Sequence, residues 1–124
     1  MNAFQLAKTA YANPGAPTRT ERATEYALFA EITRKLKSAA ADPGNFSALA
    51  VALHENRRLW TVLATDVLDA ANGLPKMLRA QIFYLSEFTA KHSALVLAGK
   101  ADMTALIDVN TAVMRGLSQQ RRAQ

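Results

Sequence analysis

Apolar residues recur along this chain at intervals of three and four, and the breaks between runs fall on glycine and proline. The pattern predicts helices. Residues 2–12 put Phe4, Ala7 and Tyr11 on one face before Asn13-Pro14-Gly15-Ala16-Pro17 stops the run, which predicts a short N-terminal docking helix. A second run starts near Thr18 or Thr20, either of which can cap, and continues to about residue 41 with Glu21 in its first turn. Leu28, Phe29, Ile32, Leu36 and Ala39 or Ala40 point inward, while Glu31, Arg34 and Lys35 form a solvated face. Asp42-Pro43-Gly44-Asn45 is its terminating turn.

The third run, residues 46–70, carries Phe46, Leu49, Ala50, Leu53, Trp60, Leu63, Ala64 and Val67 on one stripe. Leu59, Val62 and Leu68 flank that stripe, so this helix is expected to sit centrally among its neighbours. After Ala71-Asn72-Gly73, Pro75 suits a first helical position, and the fourth run extends to residue 98 with Gly99 as its C-terminal cap. Ile82, Phe83, Tyr84, Leu85 and Phe88 make its middle apolar nearly all round. The fifth run, capped by Asp102, turns Met103, Leu106, Ile107, Val113, Met114 and Leu117 inward and is expected to end near Gly116. Residues 118–124 then read as a frayed polar tail after one helical domain over residues 1–117. No strand-like alternation persists. The expected fold is all-α, a single-domain bundle of four longer antiparallel helices plus the short N-terminal docking helix.

Composition agrees with that pattern. The 124 residues are one domain's worth of chain, and 25 alanines and 15 leucines outweigh nine valines and isoleucines, an alphabet of helix formers. Cysteine is absent, which excludes disulfides, thiolate metal sites and a cysteine nucleophile. The first twelve residues lack the pattern of a signal peptide and no window approaches a membrane span, so the cytoplasm is the expected location. The net charge of +5 admits a nucleic acid, an acidic partner or simple solubility. Arg34, Lys35 and Lys37 cluster on one helix and Arg121 and Arg122 lie near the end, but acids interrupt every helix and no exposed aromatics interleave with the bases. Direct nucleic-acid binding is the weaker reading.

Catalysis has little to stand on. His54 and Glu55 are adjacent, so on a helix they point about 100° apart, and Arg58 stands where a zincin would need its second histidine. Asp66 and Asp69 share a face but no third oxygen ligand accompanies them. There is no phosphate-binding loop, no GxGxxG and no GxSxG. No enzyme activity, metal or cofactor is expected.

Polar residues on apolar stripes are more informative. The third run's stripe passes through Asn56 and Arg57 between Leu53 and Trp60, and the fifth passes through Asn110 between Ile107 and Val113. Two readings stand side by side. These side chains either hydrogen-bond a neighbouring helix and set register, or Asn56, Arg57, Arg58 and Trp60 anchor a partner in a groove, with Tyr84 and Arg115 at its margins. Removal of Arg57 is expected to be costly on both. Satisfaction of Asn56, Arg57 and Asn110 within one chain would move any groove to another face.

Several ordered motifs resemble a known family. They are Thr18-Arg19-Thr20 leading to Glu25-Tyr26, Asn56-Arg57-Arg58-Leu59-Trp60 followed by Asp66, Gly73-Leu74-Pro75 before Leu78-Arg79, Ile82-Phe83-Tyr84-Leu85 with Phe88-Thr89, and Val109 through Leu117. Together they resemble the FlaF family of flagellar biosynthesis regulators, over residues 3–117. The resemblance implies a small cytoplasmic protein that promotes flagellin synthesis and export, works with the opposing regulator FlbT, and binds flagellin as a chaperone. Its expected mode is a helix in a groove, with an mRNA regulator or an adaptor acting through FlbT as alternatives.

Overall fold

A computed structural model describes residues 18–69 and 73–123, with side chains placed between residues 24 and 116. The expected helix over residues 2–12 lies outside the described residues. Four helices are present among them, α1 (Thr18–Ala40), α2 (Phe46–Leu68), α3 (Lys76–Leu97) and α4 (Thr104–Ala123), and there is no strand. The all-α bundle is therefore the fold.

Local chemistry accounts for the helix ends. Asn45 caps α2, its side chain accepting the Ala48 backbone N–H at 3.0 Å, and Asp102 accepts the N–H of Thr104 at 2.9 Å ahead of α4. Pro75 precedes α3 with extended backbone and offers no side-chain cap. At the far end of α3, Gly99 takes a φ of 74° while Lys100 N–H reaches the Leu95 carbonyl and Gly99 N–H the Val96 carbonyl. This is a Schellman termination, and its left-handed residue favours glycine. Arg79 covers the exposed end of α2 by donating from Nε to the Val67 carbonyl at 2.8 Å.

One end departs from expectation. α4 continues through Gly116 to Ala123 instead of stopping there in a frayed tail. A mid-helix glycine costs about 1 kcal/mol against alanine, which no proline follows up, and Gln119, Gln120, Arg121, Arg122 and Ala123 are good helix formers.

Adjacent helices touch in a ring, α1 with α2, α2 with α3, α3 with α4 and α4 with α1, with no close backbone approach across either diagonal. Short connections make each neighbour antiparallel, and two apolar clusters show it. One joins Leu36 and Ala39 of α1, Ala52 and Leu53 of α2, Val96 of α3, and Met103 and Leu106 beside and within α4. The other joins Phe29 and Ile32 of α1 to Leu59, Trp60 and Leu63 of α2, with Ile82, Leu85, Val109, Val113 and Met114 packed against them only half-buried. Residue numbers thus run in opposite directions from one helix to the next. Phe29 meets Trp60 edge to face at 5.9 Å between ring centroids.

Candidate functional site

Between the two clusters every helix contributes fully buried polar side chains: Thr33 from α1, Asn56 from α2, Thr89 and Ser93 from α3, and Asn110 from α4. Asn56 and Asn110 meet across the diagonal. Trp60 donates its indole N–H to Asn110 Oδ1 at 3.0 Å, and Asn110 Nδ2 donates onward to Asn56 Oδ1 at 2.8 Å. Asn56 and Asn110, anticipated on the stripes of α2 and α4, therefore bond each other inside the chain, in line with the register-setting reading, while Arg57 is exposed and takes no part. The tier is incomplete. Asn56 Nδ2, Thr33 Oγ1 and Thr89 Oγ1 are buried without a hydrogen-bond partner, each a liability of about 1–3 kcal/mol. Ser93, also buried, donates to the Thr89 carbonyl one turn back.

This geometry corrects part of the expected anchor. Asn56 and Trp60 are 0% and 1% exposed, so they belong to the bundle's interior and cannot meet a partner while it is closed. The reason is the stripe itself. Trp60 is the largest apolar side chain on the core face of α2, and Asn110 supplies the one polar acceptor its indole needs. Arg57, Arg58, Tyr84 and Arg115 stand on the surface, distributed over three helices rather than gathered round one pocket. Phe46, expected on the inward stripe of α2, is exposed because it lies one residue past the Asn45 cap, on the edge of that stripe. Of the histidines, His54 is exposed, and His92 Nε2 donates to the Asp102 carbonyl at 2.9 Å. Glu55 pairs with Lys35 of α1 at 2.8 Å, a bridge between helices rather than an acid poised beside His54.

The open surface lies on α3. Only Thr89, Ser93 and Val96 of this helix are buried, and no residue from 76 to 88 is. Its two flanks can be told apart by their bonds. Arg79 reaches α2, which assigns Arg79, Phe83, Ser86 and Ala90 to the α2 side. His92 reaches the segment leading into α4, which puts His92 and Phe88, stacked on it with ring centroids 5.4 Å apart, toward the α4 side, while Met77 and Tyr84 face outward, opposite the buried Ser93. Met77 is 75% exposed, Tyr84 69% and Leu95 44%.

The seam behind this flank is unevenly closed. Near the short α3–α4 connection, Val96 packs in one cluster with Met103 and Leu106. Farther along, α3 and α4 share the slightest backbone contact of the four neighbouring pairs, and their Ile82, Leu85, Val109, Val113 and Met114 are only half-buried. Beside those partly buried residues α3 leaves Met77, Phe83, Tyr84, Leu95 and Leu97 exposed.

Thr33, Thr89 and Ser93 were not singled out from the sequence, although each interrupts an apolar stripe as visibly as Asn56 does. Tyr84 was legible as apolar but not as exposed, because a stripe announces burial without saying what buries it. Among the described residues no group of three or more histidine, aspartate or glutamate side chains is placed to hold a metal ion, and no helix is long and apolar enough to cross a membrane.

Comparison with known proteins adds one finding. No curated protein and no solved structure matches the chain. The family model for flagellar protein FlaF matches residues 7–117, which spans all of α1, α2 and α3 and most of α4. The matched region thus contains the polar tier, both apolar clusters and the exposed flank of α3, and the chain belongs to the FlaF family of flagellar proteins.

Proposed function

We propose that the protein is a flagellar biosynthesis regulator that binds flagellin as a secretion chaperone before export. On this reading it works in the cytoplasm, without catalysis or cofactor, and FlbT is a second partner in the same regulatory circuit. The observation that carries the reading is the half-covered apolar flank of α3 in a chain of the FlaF family. A bundle that leaves apolar side chains exposed along one helix suits the shielding of an amphipathic segment, because contiguous exposed apolar surface marks interaction sites.

Titration of the purified protein against intact flagellin and against flagellin lacking its terminal segments tests this directly. Binding to the first and at least a tenfold loss with the second is expected. Equal binding to both, or to neither, contradicts the chaperone role.

A messenger-RNA regulator is the second reading, favoured by charge alone. α3 and α4 together hold six bases against two acids, 6 − 2 = +4 of the chain's +5. Binding of flagellin mRNA that falls steeply with salt would support it over the chaperone role.

A further inference from the structure

Three polar atoms in the middle layer of the bundle have no hydrogen-bond partner: Thr33 Oγ1, Asn56 Nδ2 and Thr89 Oγ1, on side chains no more than 2% exposed. We propose that this layer is a binding site for internal water, which accepts from Asn56 Nδ2 and donates to the hydroxyls of Thr33 and Thr89. The site is independent of any partner on the surface.

Register puts the three atoms at one level. Thr33 lies between Phe29 and Leu36 on α1, Asn56 between Leu59 and Leu53 on α2, and Thr89 between Leu85 and Val96 on α3. In each pair the first residue belongs to the Trp60 cluster and the second to the Leu53 cluster. α2 has α1 and α3 as its neighbours, so Asn56 stands between the two threonines. Its Nδ2 carries two N–H donors, and each hydroxyl has lone pairs to receive a proton from a bridging molecule.

The hydroxyls do not fall back on their own helices. Thr65, Ser93 and Thr111 each donate to the carbonyl four residues back, whereas Thr33 and Thr89 make no such bond. Nor does a direct bond join any two of the three atoms. Polar groups that face one another without touching are the groups a water bridges.

Size and charge select the ligand. The Asn56–Asn110 pair spans the α2–α4 diagonal, while the α1–α3 diagonal is crossed by Thr33, Thr89 and Ser93, all smaller than the leucines and phenylalanine of the adjoining layers. A close-packed interior fills such a place, and a polar lining with three partners suits a water, which takes two to four. No charged side chain belongs to the layer, so the ligand is neutral. Glu25, the one charged side chain among the buried described residues, is more than two turns away along α1.

A high-resolution crystal structure of the full-length protein, paired with oxygen-17 water relaxation dispersion in solution, tests the site. Density about 2.7–3.2 Å from Asn56 Nδ2 and within bonding distance of both hydroxyls is expected. Thr33→Val and Thr89→Val keep the side-chain shape and remove the hydroxyl. Each is expected to lose at least one long-lived water from the relaxation count and to lower the melting temperature by about 4 °C or more. Thr33→Ser and Thr89→Ser retain the hydroxyl and should retain the water, and Thr65→Val, at an exposed position of α2, should leave the count unchanged. These serine variants keep the test decisive if a valine variant does not fold, because loss of the water from both of them overturns the proposal. So does a crystal structure in which Asn56 Nδ2 bonds a protein acceptor directly and the layer is dry. Valine variants that melt at the wild-type temperature or above it, with the water count unchanged, also defeat it, since each then removes only an unsatisfied hydroxyl. A response at one threonine and not the other overturns the two-sided bridge.

Discussion

Two ends of one bundle are built from the same four helices and finished differently. At the end holding Leu53, residues of α1, α2 and α3 together with Met103 and Leu106 are buried in one cluster. At the end holding Trp60, the buried apolar side chains come from α1 and α2, and the apolar residues of α3 and α4 packed against them are only partly buried. Burial returns free energy in proportion to area removed from solvent, about 25 cal/mol per Å², so the first end has little left to gain and the second has a good deal. On the proposed chaperone role, a protein that stays folded and accepts a helix is served by that asymmetry. The closed end maintains the fold while the open end retains unspent apolar surface.

The largest effect should come at the largest buried side chain of the open end. Trp60→Ala removes the widest side chain of the open end and leaves Asn110 Oδ1 without its donor, and a loss of about 3–5 kcal/mol is expected by urea unfolding. A loss below about 1 kcal/mol would mean the indole is not core.

The sharpest test of the asymmetry itself pairs two leucines. Leu53→Ala at the closed end is expected to cost about 2–5 kcal/mol, and Leu85→Ala at the open end about half that or less, since Leu85 is only half-buried. Equal losses in thermal melts would show that the two ends are sealed alike.

Next is the polar tier that separates them. Asn110→Ala strands both the Trp60 indole N–H and Asn56 Oδ1, with an expected cost of about 2 kcal/mol or more. Asn56→Ala in the same background should add less than it does alone, with a coupling of about 1 kcal/mol in a double-mutant cycle. Strict additivity would sever the link between the two asparagines.

Two smaller effects belong to the surface. Tyr84→Ser should change stability by no more than about 0.5 kcal/mol while abolishing partner binding, which separates the open flank from the fold. A matching loss of melting temperature would instead make Tyr84 structural. Asp102 is held below the ordinary carboxylate range, first by the Thr104 backbone N–H and then by that residue's hydroxyl, with a smaller contribution from His92. A depressed folded value means its contribution is present above the unfolded value and fades as pH falls through the folded one. Protection from hydrogen exchange at the start of α4, taken relative to the intrinsic rate at each pH, should therefore fall below the usual carboxylate range in the wild type. In Asp102→Ala that protection should be low on both sides of the range, and wild-type protection that is flat with pH would count against the cap.

Much of this was readable in the chain. Asn45, Gly99 and Asp102 are end signals of local origin, and they terminate or start helices where their chemistry says they should. The core stripes of α1 and α2 were equally legible through Phe29, Ile32, Leu36, Leu53 and Leu63. Gly116 misled because a lone glycine weakens a helix without ending it. The candidate site was legible only in part. Tyr84, Arg57, Arg58 and Arg115 are on the surface, but Asn56 and Trp60 are interior, and a polar-aromatic run looks the same whether a partner or a neighbouring helix satisfies it.

What the sequence by itself determined is local and periodic: four helices, their caps, their apolar faces and the presence of polar residues within those faces. Periodicity and capping act within a few residues, so one chain segment contains all that is needed to read them. Tertiary structure decided which polar residues meet and which apolar face goes uncovered. Asn56 and Asn110 are 54 positions apart and become a pair only when α2 and α4 face each other across the core. Met77 and Tyr84 are exposed because they lie on the side of α3 opposite its buried Ser93, and which side of that nearly all-apolar helix faces the core was settled only by its neighbours.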